Sequence, residues 1–234
     1  MKHFQYVATS EQGFVQQVVS GWVRNGYYFY VTGEIPEGKD PLRVDEKFFH
    51  QYPIRMSAGR RFSRKQRGLY NVAYVRYQRT WIMLATGGEF EDGKGYVDWF
   101  QQEARNIGNC RRGKPIQLFG YSIYYVPGGF VANWEKANPD GPPERDKKYR
   151  VRVQMSQHVY RDLLARLVAH ARSRRPEWFA EQFWKLPFEP YAPVRQQQLE
   201  ILRQVNAKRK AAGLEKLPPT LIRYRKEPVK VFED

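Results

Sequence analysis

Residues 72–85 read Val-Ala-Tyr-Val-Arg-Tyr-Gln-Arg-Thr-Trp-Ile-Met-Leu-Ala. β-Branched and aromatic residues dominate both ends, so the stretch reads as two strands, Val72–Tyr77 and Trp81–Ala85, meeting near Gln78-Arg79. The second is nearly all apolar, as a central strand is, and Gly87-Gly88 ends it. Such a pair needs a wider sheet and something to cover it.

Upstream, Phe4–Ala8 reads as a short strand. Ser10 then offers a helix N-cap, and Phe14, Val18 and Trp22, with Val15, Val19 and Val23, recur at i, i+4 until Asn25-Gly26 stops the helix. A β-rich stretch, Tyr27–Thr32, follows. Asp40-Pro41 has the form of an N-cap with proline at the first helical position, opening a helix through Phe49 that Pro53 ends. Ser57–Arg67 reads as a basic helix or a loop; Phe62 is its one large apolar residue, so the segment is expected at the surface.

Downstream, a short helix is predicted around Tyr96–Arg105 and an aromatic strand over Ile116–Val126, stopped by Pro127-Gly128-Gly129. Asn138-Pro139-Asp140-Gly141-Pro142-Pro143 is a loop by its turn residues. Lys148–Met155 alternates, with Tyr149, Val151, Val153 and Met155 on one face and Lys148, Arg150, Arg152 and Gln154 on the other. From Ser156 the period becomes helical. One helix runs to Pro176, a second covers Glu177–Lys185, and a third covers Val194–Ala212 with Gly213 as its stop. Pro187, Pro190 and Pro193 separate the last two, and Pro218–Asp234 reads as a basic extended strand or arm. This order predicts an α+β fold: an antiparallel or mixed sheet with helices on one side, in a ferredoxin-like arrangement, and a helical C-terminal region. The expected division is a sheet domain over 1–155 and a helical region over 156–234 packed on it.

Of the 234 residues, 41% are hydrophobic and 15% aromatic, enough apolar surface to close a core, which excludes a disordered tail. No apolar run approaches the roughly 20 residues that cross a bilayer. The N-terminal Met1-Lys2-His3-Phe4-Gln5 leads into no continuous apolar segment, so a cytoplasmic location is expected. A lone Cys110 excludes an intramolecular disulfide, a Cys-rich zinc site and an iron-sulfur cluster held by this chain alone. The four histidines, at 3, 50, 158 and 170, form no ligand set by spacing, and the sequence holds neither a phosphate-binding P-loop nor a dinucleotide-binding Gly-x-Gly-x-x-Gly turn. No cofactor is expected.

Charge is the strongest functional signal. Lys and Arg number 40 against 24 Asp and Glu, a formal charge of +16. Half of that sits in residues 55–79, where Arg55, Arg60, Arg61, Arg64, Lys65, Arg67, Arg76 and Arg79 stand without one acid. Eight like charges repel unless a partner neutralises them, and nucleic acid is the commonest polyanion. Lys148, Arg150 and Arg152 alternate on a predicted strand, about 6.6–6.8 Å apart, close to successive phosphates. Together these residues are expected to line one open groove. Aromatic residues interleave with them, in Tyr27–Tyr30, in Tyr70, Tyr74 and Tyr77, and in Tyr121, Tyr124 and Tyr125. Exposed rings on a sheet stack unpaired bases, which favours RNA or single-stranded DNA and a role as a subunit or accessory factor. An alternative is metal-dependent cleavage, with Glu89, Glu91 and Asp92 holding Mg²⁺ after a central strand and Lys94 steadying the charge. A third reading is a protein-interaction subunit that docks its C-terminal helices and basic tail on an acidic partner.

Overall fold

A computed structural model describes residues 4–129, 146, 148–186, 191–222 and 229–233. It is an α+β fold with two antiparallel sheets and a helical C-terminal region. The chain divides into two compact units, one of Met1–Ile116, Ile123–Arg152 and Val229–Asp234, the other of Gln117–Ser122 and Val153–Pro228.

The first unit is built on a four-stranded sheet: β1 (Phe29–Glu34), β2 (Val72–Tyr77), β3 (Thr80–Ala85) and β4 (Gly108–Asn109), in the order β2-β3-β1-β4. Helices α2 (Pro41–Gln51) and α3 (Ala58–Gln66) connect β1 to β2, and α4 (Trp99–Gln102) lies between β3 and β4. Every neighbouring pair in this sheet is antiparallel. The quoted stretch makes the hairpin at its centre. Gln78 takes the left-handed conformation at the turn (φ 50°), setting Tyr77 opposite Thr80 and Val72 opposite Ala85. Against β1, Gly33 faces Trp81, and a β-carbon there would collide with the indole.

Because side chains alternate across a strand, the register sorts them by face. Val31, Val72, Tyr74, Met83 and Ala85 pack with Phe49, Tyr52, Ile54 and Trp99 in one buried cluster. Ala73, Val75, Ile82 and Leu84 point the other way and are also fully buried. Helix α1 (Glu11–Gln16), capped by the Ser10 hydroxyl, packs on β2, as does the turn that follows it. The expected single helix over 10–25 is thus a composite: it widens into a π-helix over Gln17–Trp22, tightens into a 3₁₀ turn over Val23–Asn25 and stops at Gly26 (φ 91°).

Phe4–Ala8 differs from expectation. It makes one parallel bridge, Val7 to Arg76: the Arg76 amide donates to the Tyr6 carbonyl (2.8 Å) and the Ala8 amide to that of Arg76 (2.7 Å). Ile116–Val126 is two strands, β5 (Ile116–Leu118) and β6 (Tyr121–Pro127), because Phe119 (φ 47°) and Gly120 (φ 77°) turn the chain between them. With β7 (Tyr149–Met155) they form the second sheet, in the order β5-β6-β7. The 138–143 turn and the prolines at 187 and 190 lie outside the described residues.

In the second unit, α5 (Gln157–Ala169) packs on α7 (Ala192–Ala211), with α6 (Pro176–Trp184) between them in the chain. Leu163, Leu167, Phe179, Phe183, Ile201 and Val205 are among its buried side chains. Arg209 is buried beside them and donates to the carbonyls of Ala171 (3.2 Å) and Arg174 (3.0 Å), in the turn after α5, and of Glu215 (2.8 Å), after α7. The tail, read as an arm, belongs over 229–233 to the first unit, where the Thr9 amide donates to the Val231 carbonyl at 2.9 Å.

Two residues expected to face nucleic acid are instead in the core of the sheet. Arg76 is 6% exposed and grips the fully buried Asp45, Nε to Oδ1 at 3.0 Å and Nη2 to Oδ2 at 2.9 Å. Its Nη1 donates to the Gln78 carbonyl at 2.6 Å. Tyr74, 1% exposed, donates its hydroxyl to Asp45 at 2.5 Å, so its ring cannot stack on a base. Removing one partner of such a pair leaves an uncompensated buried charge. Asp45→Ala is therefore expected to destabilise the protein by about 3–5 kcal/mol in urea unfolding, and a loss under about 1 kcal/mol would show that the pair is not needed.

Burial pushes the phenols of Tyr52, Tyr70 and Tyr74 far above 10, and that of Tyr30 up to about 12. A raised folded pKa means stability that is complete below the unfolded value near 10 and is lost as pH rises toward the folded values. These four should ionise only together with cooperative unfolding and not in the folded state. Tyrosinate absorbance followed alongside circular dichroism separates the two, and smooth ionisation of all tyrosines in the folded state would contradict it.

Candidate functional site

Helix α3 has an inverted amphipathic pattern. Ser57 caps it, its hydroxyl accepting from the Arg60 amide at 3.3 Å. Phe62 is 65% exposed, while Arg64 is the buried residue of the helix. A guanidinium does not lose its proton in a protein, so burying it demands partners. Arg64 Nη1 pairs with Glu91, and Nη2 donates to the Tyr70 carbonyl at 3.0 Å. Arg67, three residues on and therefore on the same side, adds a bond to the other Glu91 oxygen at 3.1 Å. Burial raises the Glu91 pKa, but Arg64, Arg67 and Lys94 outweigh it and hold the carboxyl below its ordinary range. The α3 arginines thereby fasten the 89–96 turn to the helix.

Between them lies a pocket of about 330 Å³ walled by Pro53–Met56, by α3 and by residues 90–96. Arg55, Arg60, Arg64, Arg67 and Lys94 line it against the single carboxylate of Glu91, with Met56, Phe90 and Tyr96 as its less polar wall. Arg55 is paired with Glu46 and lies 4.2 Å above the Phe49 ring. Arg60 and Lys94 are exposed and in no ion pair among the described residues. The basic run and the acidic turn, two separate constellations in the sequence, are therefore one site.

The other expected cations fall elsewhere, and the continuous groove predicted from them does not form. Arg61 is directed inward: it donates to the carbonyls of Met56 (3.2 Å) and Ile54 (2.7 Å), with its guanidinium 4.7 Å over the Trp22 ring. Arg79 closes a turn by donating to the carbonyls of Ile35, Pro36 and Lys39 at 3.2, 2.8 and 3.2 Å. Arg64 and Arg76 are internal counter-ions. Lys65 is exposed on α3, outside the pocket lining. On β7, Arg150 and Arg152 are exposed, Arg150 pairing with Asp146 at 2.5 Å, and Lys148 is exposed just before the strand.

Of the tyrosines expected to stack bases, Tyr27, Tyr70, Tyr74 and Tyr121 are buried, whereas Tyr28, Tyr30, Tyr77, Tyr124 and Tyr125 are half-buried. What the sequence reading missed is a cluster around Arg111, whose guanidinium lies 4.1 Å over Tyr149 and 5.5 Å over Tyr28. Tyr125 joins them, its ring nearly parallel to Tyr28 at 6.3 Å and 5.3 Å from Tyr149. Adjacent arginines at 111 and 112, next to an aromatic strand, were its only trace in the sequence.

The acidic turn does not fit a metal. Glu91 is taken by two arginines, and Asp92 accepts from the Gly93 amide at 2.8 Å. Glu89 is exposed, its backbone bonded to Gly68 and Tyr70. Among the described residues no three His, Cys, Asp or Glu side chains converge, so the carboxylates expected to hold Mg²⁺ do not form its ligand set. Cys110 is buried, and desolvation pushes its thiol up to about 12, away from nucleophilic use.

Comparison with family models, with curated proteins and with solved structures finds no match to this chain. No helix among the described residues is long and apolar enough to cross a membrane.

If Glu91 is the counter-ion of Arg64, Glu91→Ala should lower the melting temperature more than Glu89→Ala or Asp92→Ala does. Its folded pKa lies below its ordinary value of 4.5, so its contribution is complete above that value and fades as pH falls through the folded one. The gap between variant and parent should close in acid, and equal melting of all three variants at neutral pH would refute the assignment.

Proposed function

We propose that the protein binds nucleic acid, single-stranded RNA or DNA in preference to duplex, as a non-enzymatic subunit or accessory factor in the cytoplasm. The supporting observation is the pocket beside α3, where five cationic side chains surround one carboxylate. Holding them together in the free protein is electrostatically unfavourable, and a phosphate chain relieves it. Arg60, Lys65, Arg67 and Lys94 supply the grip, since their charged ends reach solvent. Arg152 on β7 and Lys148 just before it, both exposed, extend the attraction to further phosphates. Preference for unpaired strands follows from aromatic groups at the surface: Tyr96 on the pocket wall and Tyr149 beside Arg111 are each 36% exposed.

Such binding is dominated by counterion release, with log affinity falling against log salt by about 0.7 per phosphate contacted on a single strand. Fluorescence anisotropy with a labelled single strand should show that slope. Arg60→Ala, Lys65→Ala and Lys94→Ala should each weaken binding about three- to tenfold and flatten the slope by about one phosphate's share. Lys185→Ala, at the residue that follows α6, should change nothing. An affinity indifferent to salt, or equal loss in the Lys185 variant, would overturn the reading, and tight binding of an acidic protein with none of nucleic acid would replace it.

A further inference from the structure

The shape of the site specifies more than a polyanion. A protein that follows a running backbone needs its cations spread along a groove, one for each phosphodiester, and each diester carries a single charge. Here the cations converge. Arg60, Arg64 and Arg67 come from one side on successive turns of α3, Lys94 from the turn opposite, and Arg55 from the segment that enters the helix. Their common space, about 330 Å³, lies at the low end of small-ligand pockets, which run from about 300 Å³ upward. It has room for one nucleotide and not for several.

We propose that this pocket takes a phosphate monoester joined to a base or sugar, namely the terminal phosphate of a strand or a free mononucleotide. A monoester carries about −1.5 to −2 at neutral pH and has three acceptor oxygens, against one charge on a diester. That excess matches a concentrated cluster better than it matches a single cation. The guanidinium forks of Arg60 and Arg67 suit bidentate bonds to such oxygens, and Lys94 provides a compact opposing charge. Glu91 keeps Arg64 and the rim of α3 in place, and by occupying part of the cationic field it disfavours weaker anions. Phe90 and Tyr96 give the ring or sugar next to the phosphate an aromatic wall. The inference rests on the nucleic-acid reading only as to where the monoester comes from; the pocket's chemistry is the same for either source.

The experiment compares three labelled oligonucleotides of one sequence, with a 5′-hydroxyl, a 5′-phosphate or a 3′-phosphate end, and uses a nucleoside 5′-monophosphate as competitor. At least one phosphorylated end should bind about five- to tenfold more tightly than the hydroxyl end, as one additional charge-assisted contact provides. Arg60→Ala and Lys94→Ala should bring the ends to parity. Both replace exposed residues that hold no structural bond, so melting temperature should not move. If the monophosphate competes as well as the phosphorylated strand does, the free nucleotide is the source; if it competes poorly, the strand end is. Equal affinity for all three ends, with no competition by the monophosphate, would overturn the proposal, while salt-sensitive binding in the same titration would leave the general reading intact. Binding of the monophosphate alone, with none of any strand, would uphold the pocket and overturn the general reading.

Discussion

The buried guanidinium of Arg64 constrains the rest of this site. It is permanently charged and cannot be left without an anion in the interior, so α3 is held with that residue inward and Phe62 outward, against the usual logic of an amphipathic helix. Glu91 must come to it, which carries the 89–96 turn across and turns two unrelated chain segments into facing walls. The carboxylate is answered twice, by Arg64 and Arg67, and is therefore unavailable to a metal. The same rule operates under the sheet, where Asp45 collects Arg76 and Tyr74 at a position the hairpin fixes. In both places an ionic bond between residues distant in sequence decides what is structural and what is left for a ligand.

The fold was legible in the hairpin because its pattern is local. Val72–Ala85 is rich in β-branched and aromatic residues and changes strand near Gln78-Arg79, and helical stretches announce themselves by caps, as at Ser10 and Asp40. Reading failed where the backbone departed from the pattern of its side chains. Ile116–Val126 is uniformly strand-like in composition, yet Phe119 adopts a left-handed conformation and divides it. The wide turn over Gln17–Trp22 is likewise invisible to a period of 3.6.

The site was legible only in part, for a different reason. A sequence counts charges but does not pair them. The acid-free run at 55–79 promised eight free cations, and the fold withdraws Arg64 to Glu91, Arg76 to the buried Asp45, Arg61 and Arg79 to carbonyls, and Arg55 to Glu46. The partners lie 9 to 44 residues away from these arginines where they are not local carbonyls, beyond any window of pattern reading. Conversely Lys94, which the sequence offered as an aid to metal chemistry, completes a cationic pocket. The aromatic signal suffered the same fate: Tyr74, read among arginines, belongs to the core, where the buried Asp45 accepts its hydroxyl.

What remains is a small concave surface with an excess of positive charge and an aromatic edge, fastened by the ion pair of Arg64 and Glu91. On the proposed reading its chemistry is recognition of phosphate. The most direct test is the change in backbone amide chemical shifts as a single-stranded oligonucleotide is titrated into the labelled protein. The account predicts that the largest changes cluster over 55–67 and 90–96 and vanish together at high salt. Changes centred on the C-terminal helices, or none at saturating oligonucleotide, would contradict it.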